Sequence, residues 1–582
     1  MISTIKTILI ILLVLPVFLR AYQTAGTDST VDVLTWNIEN FPLNGQTTID
    51  ETAQIISDLD VDLIGVQEIA SVDDFNTLLQ QLPGWNGILS PHEYSDGSYQ
   101  KVGLLYKEAV VTVNSWQLLF EDDTYSFPRP PMEFFIDTQE GGNSFDFRLI
   151  VVHLKAYSDE DSEARRRSAI QKLKDYIDSE KANGTEKDFI LLGDFNDLLE
   201  DPPEDNVFTV MYDDTANYEF LTDPLVSFRG SYIGYNEPNL IDHIITTDEA
   251  LDEYGKQGWC DVLYLDDENS AYSSDVSDHR PVYARFSFEN DYTALRGLHQ
   301  NFGQKKNKTY KVQGVVTIAA GIFSDTYTSV YIQDESPGGM NIYYGGRVVD
   351  EFLRASRVEV TGELTAYNGL HQIKLHGLRV LFENQPLPDS LSITTVSIND
   401  TSSEQGRWVS VRGVIESISE GPHINMMIND GSGAGKVYFD PDAGLDVSMF
   451  SVGETIRVNG VKTVYNYEGQ VQPGYQDDIE KVQPSAITRT QPRLFANRLW
   501  GNYPNPFNPI TTISYQLSAL SDVELTVYNV LGQKVTTLVN KEQTAGSYRL
   551  RWNAGNLPGG IYFYRLNING RMIDARKMIL LR

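Results

Sequence analysis

The sequence predicts a multidomain chain in which an α/β domain is followed by two small β-barrels in tandem and a β-sandwich tail. Three observations carry this expectation. From Val31 to about Asn290, short apolar β-type runs alternate with helical patterns. Between residues 309 and 482 the long helical patterns stop, and a strand-rich segment repeats itself once. The last eighty residues reverse the charge sign of the chain. A length of 582 residues suits roughly four domains at ~150 residues each. Acidic residues number 80 against 46 basic, a net charge of −34. A tight, sequence-blind grip on nucleic acid needs a basic surface, which excludes a histone-like role. Cys260 is the single cysteine, so no intramolecular disulfide and no Cys-rich metal site are expected.

Residues 1–21 read as a secretory signal peptide. Lys6 precedes an apolar run from Ile8 to Leu19, which as a helix spans only ~18 Å against a ~30 Å hydrocarbon core. No other stretch is long and apolar enough to cross a bilayer, so no membrane-spanning segment is expected in the mature chain. Over residues 28–290, VDVLTW, DLIGVQE, VGLLYK, FRLIVVHL, DFILLGD, LIDHIIT and PVYARFSF read as largely buried strands. Thr48-Ile-Asp-Glu51 reads as a capping box opening a helix with Ile49, Ala53, Ile56 and Leu59 on one face. A second helix is expected from Glu163 to Ala182. It turns Ile170, Leu173 and Ile177 inward and begins with Arg165, Arg166 and Arg167, a solvated basic cluster.

Beyond the polar connector KKNK at 305–308 comes the repeat. VQGVV around Gly314 matches VRGVI around Gly413, and YIQDESPGG around Asp334 matches MINDGSGAG around Asp430. VEVTGELTAYNG around Gly362 matches IRVNGVKTVYNYEG around Gly460. Offsets of 99, 96 and 98 residues mark a duplicated β-domain, 309–385 and 393–482. Alternating strands with a Gly-rich hairpin suit a five-stranded, OB-like barrel. A linker over 483–500 leads to residues 501–582, where ISYQL, VELTVYNV, YRLRW and IYFYRL alternate between Gly, Pro and Asn turns. This tail holds nine Lys/Arg and four Asp/Glu, a net of +5, leaving −39 on the preceding 500 residues. Such asymmetry points to a separate module with a separate partner.

Polar residues gather where the strands of the first domain end. They are Asn37, Glu68, His153, Asp194 with Asn196, Asp242, and Asp278-His279. Ligands collect at strand termini because loops there present side chains while the sheet holds them rigid. Taken singly, each is most often a cap, a turn residue or a hydrogen-bonded structural histidine. As a set they suit metal-assisted phosphate-ester hydrolysis. Glu68 and Asn37 supply hard oxygen ligands for Mg²⁺ or Mn²⁺. Imidazoles donate to the non-bridging oxygens, one carboxylate activates the attacking water, and another holds an imidazole by its second nitrogen.

TWNIEN, VQEI, VHLKA, GDFND, IDHI and SDHRP, in this order, resemble the endonuclease/exonuclease/phosphatase superfamily. The resemblance implies a DNase-like, four-layered α/β sandwich and Mg²⁺, with Mn²⁺ or Ca²⁺ as substitutes. It also implies Glu68 as the main metal ligand, Asn37 beside it and Asp278 completing the site. Asp194 would activate the water, and Asn196 would position it or the phosphate. His153 and His279 would contact the scissile phosphate, with Asp242 supporting His279. Tyr99 and Arg129 match substrate-backbone contacts of the superfamily. Lys101 stands where pancreatic-type DNases have a Glu that pairs with the first catalytic His, which assigns Lys101 to phosphate and leaves His153 to another orientation. His243, where an Arg is common, reads as structural. The barrels resemble OB-like modules behind secreted nuclease domains, with Tyr343, Tyr344, Tyr367 and Tyr465 as stacking positions.

NYPNPFNPITTISYQL, VYNVLGQKV, LPGGIYFYRL and RKMILLR resemble the C-terminal sorting domain read by the type IX secretion system. That implies export through the periplasm to a secreted or outer-surface location. The expected function is a secreted, divalent-metal-dependent nuclease acting on DNA or RNA. The same core also serves sphingomyelinase-like lipid phosphodiesterases and small-molecule phosphatases, and a non-catalytic adhesin on an enzyme fold is a further alternative.

Overall fold

The computed structural model describes residues 21–234, 238–482, 497–499, 501–502, 505–517, 521–543, 546–555 and 557–581. The expected signal peptide, apart from Ala21, and most of the 483–500 linker lie outside these residues. Two units divide near residue 483.

In the first unit, two six-stranded sheets lie face to face. One has the order β11 (Cys260–Val262), β12 (Val282–Phe286), β1 (Val31–Phe41), β2 (Leu63–Ile69), β4 (Lys101–Lys107), β3 (Trp85–Leu89). The other runs β5 (Val111–Leu118), β6 (Met132–Glu140), β7 (Asn143–His153), β8 (Phe189–Asp194), β10 (Asp242–Thr247), β9 (Tyr218–Phe220). Side-chain alternation explains the layering. Val31 and Val33 of β1, Leu149 and Val151 of β7, and Ile190 and Leu192 of β8 fill the space between the sheets. Leu34, Trp36 and Ile38 turn outward onto α1 (Gln46–Leu59) and α2 (Val72–Gln81). Phe189 and Leu191 turn outward onto α3 (Glu160–Asn183). Three apolar layers thus separate four structural ones, and strands buried on both faces read as unbroken apolar runs. A Cβ on Gly65 of β2 would stand 2.3 Å from the Leu192 side chain, so glycine permits the sheets' closest approach there.

Two helix starts differ from expectation. Gly45 precedes α1, and Thr48 lies inside the helix rather than capping it. Its hydroxyl accepts the Asn44 N–H at 2.7 Å and donates to the Asp275 carbonyl at 2.7 Å, tying α1 to the loop before β12. Helix α3 begins earlier than Glu163, because Asp159 accepts the Ser162 N–H at 3.1 Å as its cap.

A buried carboxylate pair in this unit predicts a pH effect. Asp62 accepts the Asp32 N–H at 2.9 Å, and burial, then the charge of Asp32, push its carboxyl up to about 7. Because the folded state holds this proton more tightly than the unfolded chain, the group's stabilising contribution is complete below pH ~4 and is lost as pH rises towards 7. Asp62→Asn keeps an acceptor and removes the charge. It is expected to raise Tm by roughly 3 °C at pH 8 and to leave it unchanged at pH 4, as read by thermal denaturation at both pH values.

Two OB-like barrels complete the unit. The first contains strands Thr309–Ile318, Thr328–Gln333, Gly339–Tyr344, Arg357–Tyr367 and Leu370–Phe382, in the order first, second, third, fifth, fourth, closed by the first-to-fourth pairing. The second repeats that order with Trp408–Ile418, Ile424–Asn429, Ala434–Phe439, Thr455–Tyr465 and Glu468–Gln472. Both pair the third strand with the fifth in parallel. The first barrel packs on the α/β domain. His376 Nδ1 meets Asp261 Oδ2 at 2.5 Å, Arg379 pairs with Glu219, and Gly377 lies against Pro224 and Leu225. Tyr344 packs edge-on against Phe228 of the α/β domain, which makes it an interface residue instead of a stacking platform.

The second unit is a β-sandwich. A three-stranded sheet of Arg498–Leu499, Ile510–Leu517 and Gly546–Asn553 shares one apolar core with a four-stranded sheet of Lys534–Gln543, Ser521–Asn529, Gly560–Ile568 and Arg571–Leu580.

Candidate active site

The polar strand ends of the α/β domain meet at one rim. Asn37 follows Val31 and Val33 into the space between the sheets. It donates from Nδ2 to Asp194 Oδ2 at 2.9 Å and to Glu68 Oε1 at 3.3 Å, so one carboxamide bridges both sheets. Register places Asp242 opposite Asp194 across β10 and β8, and His153 beside Asp194 across β7 and β8. His153 Nε2 stands 3.5 Å from Asp194 Oδ2 and 3.7 Å from Glu68 Oε1. His279 Nδ1 meets Asp242 Oδ2 at 2.8 Å, and its Nε2 stands 4.0 Å from Asp194 Oδ2 and 3.9 Å from Asp278 Oδ1. Asn196 donates its N–H to Asp194 Oδ1 at 2.9 Å. Ligand atoms of Asp194, Asp242 and His279 lie within 4.8 Å of one another, close enough to share one cation.

Local structure holds these groups. Glu68 adopts φ +61° at a register break between β2 and β4. A bulge there turns the carboxylate out of the sheet, and such strain persists only where neighbours fix it. Asn40 N–H and Gln100 Nε2 donate to Glu68 Oε2 at 3.1 and 3.2 Å. His279 is fixed through its backbone. Its N–H donates to Ser277 Oγ at 2.9 Å, and its carbonyl accepts the Tyr272 hydroxyl at 2.6 Å. Ser277 in turn donates to the Asn37 carbonyl at 2.7 Å. Ser231 Oγ accepts the N–H groups of Ile241 and Asp242 at 3.1 and 3.2 Å, while Tyr232 packs edge-on against the His279 ring.

Electrostatics set the two imidazoles apart. Burial, with Arg129 and His279 adding, holds His153 neutral, well below its ordinary value. Burial opposes charge on His279 as well, but Asp242 on its Nδ1, then Asp194 and Asp278, outweigh it and lift the ring to about 10. Asp194 is pushed up to about 7 by burial and the charge of Asp242, against the pull of His279 and the Asn37 hydrogen bond. Three buried atoms of the cluster have no hydrogen-bond partner: Asn37 Oδ1, His153 Nδ1 and Asp242 Oδ1. Each such orphan costs ~1–3 kcal/mol unless water or a ligand meets it.

Arg129 donates to Gln100 Oε1 at 2.6 Å and to the Leu154 carbonyl at 3.4 Å, beside His153. Lys101 is turned to the His92 carbonyl at 3.0 Å and lies over the Tyr99 ring at 4.2 Å. Tyr99 accepts the Val72 N–H at 3.4 Å. His243 is buried between Thr222 Oγ1 at 2.9 Å and the Asp197 carbonyl at 3.1 Å. The arginine triplet is not one solvated face. Arg166 is buried on Asp197 Oδ2 at 2.6 Å, and Arg167 pairs with Glu163 at 2.7 Å. Sequence reasoning missed Gln100, which links Arg129 to Glu68. Its position between Tyr99 and Lys101, on the opposite side of an extended segment, was the available signal.

A two-sheet sandwich with carboxylates, a carboxamide, and one neutral and one cationic imidazole at one rim defines an α/β domain with an acid–imidazole centre. Residues 34–279 match the Endonuclease/Exonuclease/phosphatase family. Residues 502–580 match the Secretion system C-terminal sorting domain, which marks the chain for export to a secreted or cell-surface location. Endonuclease YhcR of Bacillus subtilis (strain 168) is 31% identical over 123 residues, 20% of this chain. The chain spans about 10% of the length of that curated relative. Similar solved structures include the mannosyl-6-phosphatase Bt3783 of Bacteroides thetaiotaomicron VPI-5482, at 15% identity and TM-score 0.34 over 44% of this chain and 98% of that one. The human Nocturnin catalytic domain is similar at 18% identity and TM-score 0.33, over 44% of this chain and 94% of that one. Among the described residues, no helix is long and apolar enough to cross a membrane.

Proposed function

We propose that the N-terminal domain, residues 28–290, is a divalent-metal-dependent phosphodiesterase that hydrolyses extracellular DNA or RNA. In this reading the barrels span 309–385 and 393–482, and the type IX secretion machinery reads residues 501–582. The observation that carries the proposal is the cluster in which Asn37 Nδ2 bridges Glu68 and Asp194, its Oδ1 is left without a partner, and a cationic imidazole stands near a proton-accepting carboxylate. Similarity to a protein named an endonuclease supports nucleic acid as the substrate.

Glu68, Asn37 and Asp278 would hold the ion. A cationic His279 has no lone pair to offer, which removes it from the Asp194, Asp242 and His279 group as a ligand. Bound Mg²⁺ supplies Lewis-acid charge to the phosphoryl oxygens and leaving group. Asp194, lifted towards neutrality, takes the proton of the attacking water, and Asn196 positions that water or the phosphate. His279 donates from Nε2 to a non-bridging oxygen while Asp242 keeps it protonated, and neutral His153 donates from the other side. Arg129 contacts the substrate backbone, and Lys101 acts through Tyr99, whose ring it supports.

The test is to incubate the full chain with duplex DNA, single-stranded DNA, RNA, sphingomyelin and inositol phosphates, with and without EDTA. DNA or RNA turnover lost on chelation and restored by Mg²⁺ is the expected result. Turnover of lipid or inositol phosphate alone overturns the substrate, and inactivity on every substrate with metal present favours the adhesin.

A further inference from the structure

One lip of the candidate site pairs exposed aromatic rings with cations. The loop after His153 carries Lys155 and Tyr157, and the facing loop carries Tyr125. Lys155 Nζ lies over the Tyr157 ring at 4.3 Å, and the Arg165 guanidinium lies over the Tyr125 ring at 5.4 Å. Arg165 also donates from Nε to the Tyr125 carbonyl at 2.6 Å and from Nη2 to the Thr124 carbonyl at 3.1 Å. Tyr157 is 75% exposed and Tyr125 49% exposed, although large aromatic surface usually packs inside. Arg129 joins this lip to the site through the Leu154 carbonyl, which Asn196 Nδ2 also reaches at 3.4 Å.

The lip is built and held. Tyr157 sits at φ +81°, a strained conformation for a tyrosine. Buried Arg166 fixes it, donating from Nη1 to the Lys155 and Tyr157 carbonyls at 2.9 and 2.6 Å while Asp197 holds its Nε. Of the acids on these segments, Asp159 caps α3 and Asp123 pairs with Lys172, while Glu121, Asp122, Glu160 and Asp161 are exposed, flanking the two loops in sequence. Tyrosine rings offer stacking faces that an unpaired base can use and a stacked base pair cannot, and the two cations suit the phosphates between bases.

Building on the nuclease reading above, we propose that Tyr125, Arg165, Lys155 and Tyr157 form a binding lip for an unpaired nucleic-acid strand, which makes single-stranded DNA or RNA the preferred substrate form. Bases stack on the two rings, and the phosphates between them pair with Lys155 and Arg165. A strand seated there lies beside Arg129 and reaches the Asp194 cluster along Leu154.

The test measures binding of a fluorescein-labelled 12-nucleotide oligothymidine to the full chain by anisotropy, in EDTA so that turnover does not intervene. Tyr125→Ala combined with Tyr157→Asn, the latter chosen because Asn tolerates positive φ, is expected to raise Kd roughly tenfold or more. Phenylalanine at both positions is expected to restore it. Lys155→Gln with Arg165→Gln is expected to flatten the salt dependence by about one to two phosphate contacts. Overturning results are no binding by the unaltered chain, a Kd within twofold in the tyrosine variant, equal competition by a 12-base-pair duplex, or the same loss from Tyr367→Ala on the barrel, where the ring is 62% exposed. Because binding is read without catalysis, failure of hydrolysis and failure of the lip are separate outcomes.

Discussion

Replacing His279 by alanine is expected to lower kcat on a simple phosphodiester by about 10²–10³-fold, the usual loss when one preorganised donor to a developing oxyanion is removed. The ring supplies a positive charge that Asp242 maintains at 2.8 Å and that neutral His153 cannot replace. Asp194→Asn is expected to cost a comparable ~10²–10⁴-fold, because an amide accepts no proton from water. Its fold should survive, since the asparagine Oδ1 still accepts the Asn196 N–H and the charge repulsion with Asp242 disappears. Groups that act as one unit are not additive, so the double variant should be scarcely slower than the slower single. Steady-state kinetics with bis(p-nitrophenyl) phosphate, alongside thermal denaturation, reads both quantities. A double variant that stays folded and retains turnover close to that of the unaltered chain would refute the assignment.

Glu68→Gln carries the second large effect. Its carboxylate is the accessible anion beside Asn37, and hard divalent cations bind through one or two carboxylates. Loss of that charge is expected to weaken Mn²⁺ binding by at least about 10–100-fold, the loss already seen when a mere supporting residue of a metal site is removed. Free Mn²⁺ measured by electron paramagnetic resonance during a titration gives the affinity without reference to turnover. Unchanged affinity would move the ion to Asp194 and Asp242.

Strands and site were legible in the sequence for one physical reason. A strand buried on both faces must be apolar throughout, so a polar residue at its end stands out, as Asn37 does after VLTW and Asp194 after FILLG. What stayed hidden depends on contacts between distant segments. Thr48 has the local signature of a cap, yet Asp275, 227 residues away, claims its hydroxyl. Arg165, Arg166 and Arg167 look alike in sequence, and only the position of Asp197 beneath α3 separates the buried one from the others. Lys101 gives no sequence sign of the His92 carbonyl that its Nζ meets at 3.0 Å. Glu68 gives no sequence sign of its positive φ, because that conformation arises from the register break against β4.

The docking of the first barrel bears on what counts as the working enzyme. Asp261 answers both His376 of the barrel and Arg229, whose Nε it accepts at 2.8 Å. The next two residues after Arg229 anchor the reaction centre, because Gly230 accepts Arg280 Nη1 at 2.8 Å and Ser231 carries the N–H of Asp242. One continuous strip of chain therefore has its back braced by the barrel and its tip on the Asp242–His279 couple. Trimming the protein at the end of its first domain would leave the buried Asp261 without its His376 partner and that strip unsupported. A chain that ends at residue 290 is therefore expected to unfold at a lower temperature than one that keeps the first barrel, as thermal denaturation reads.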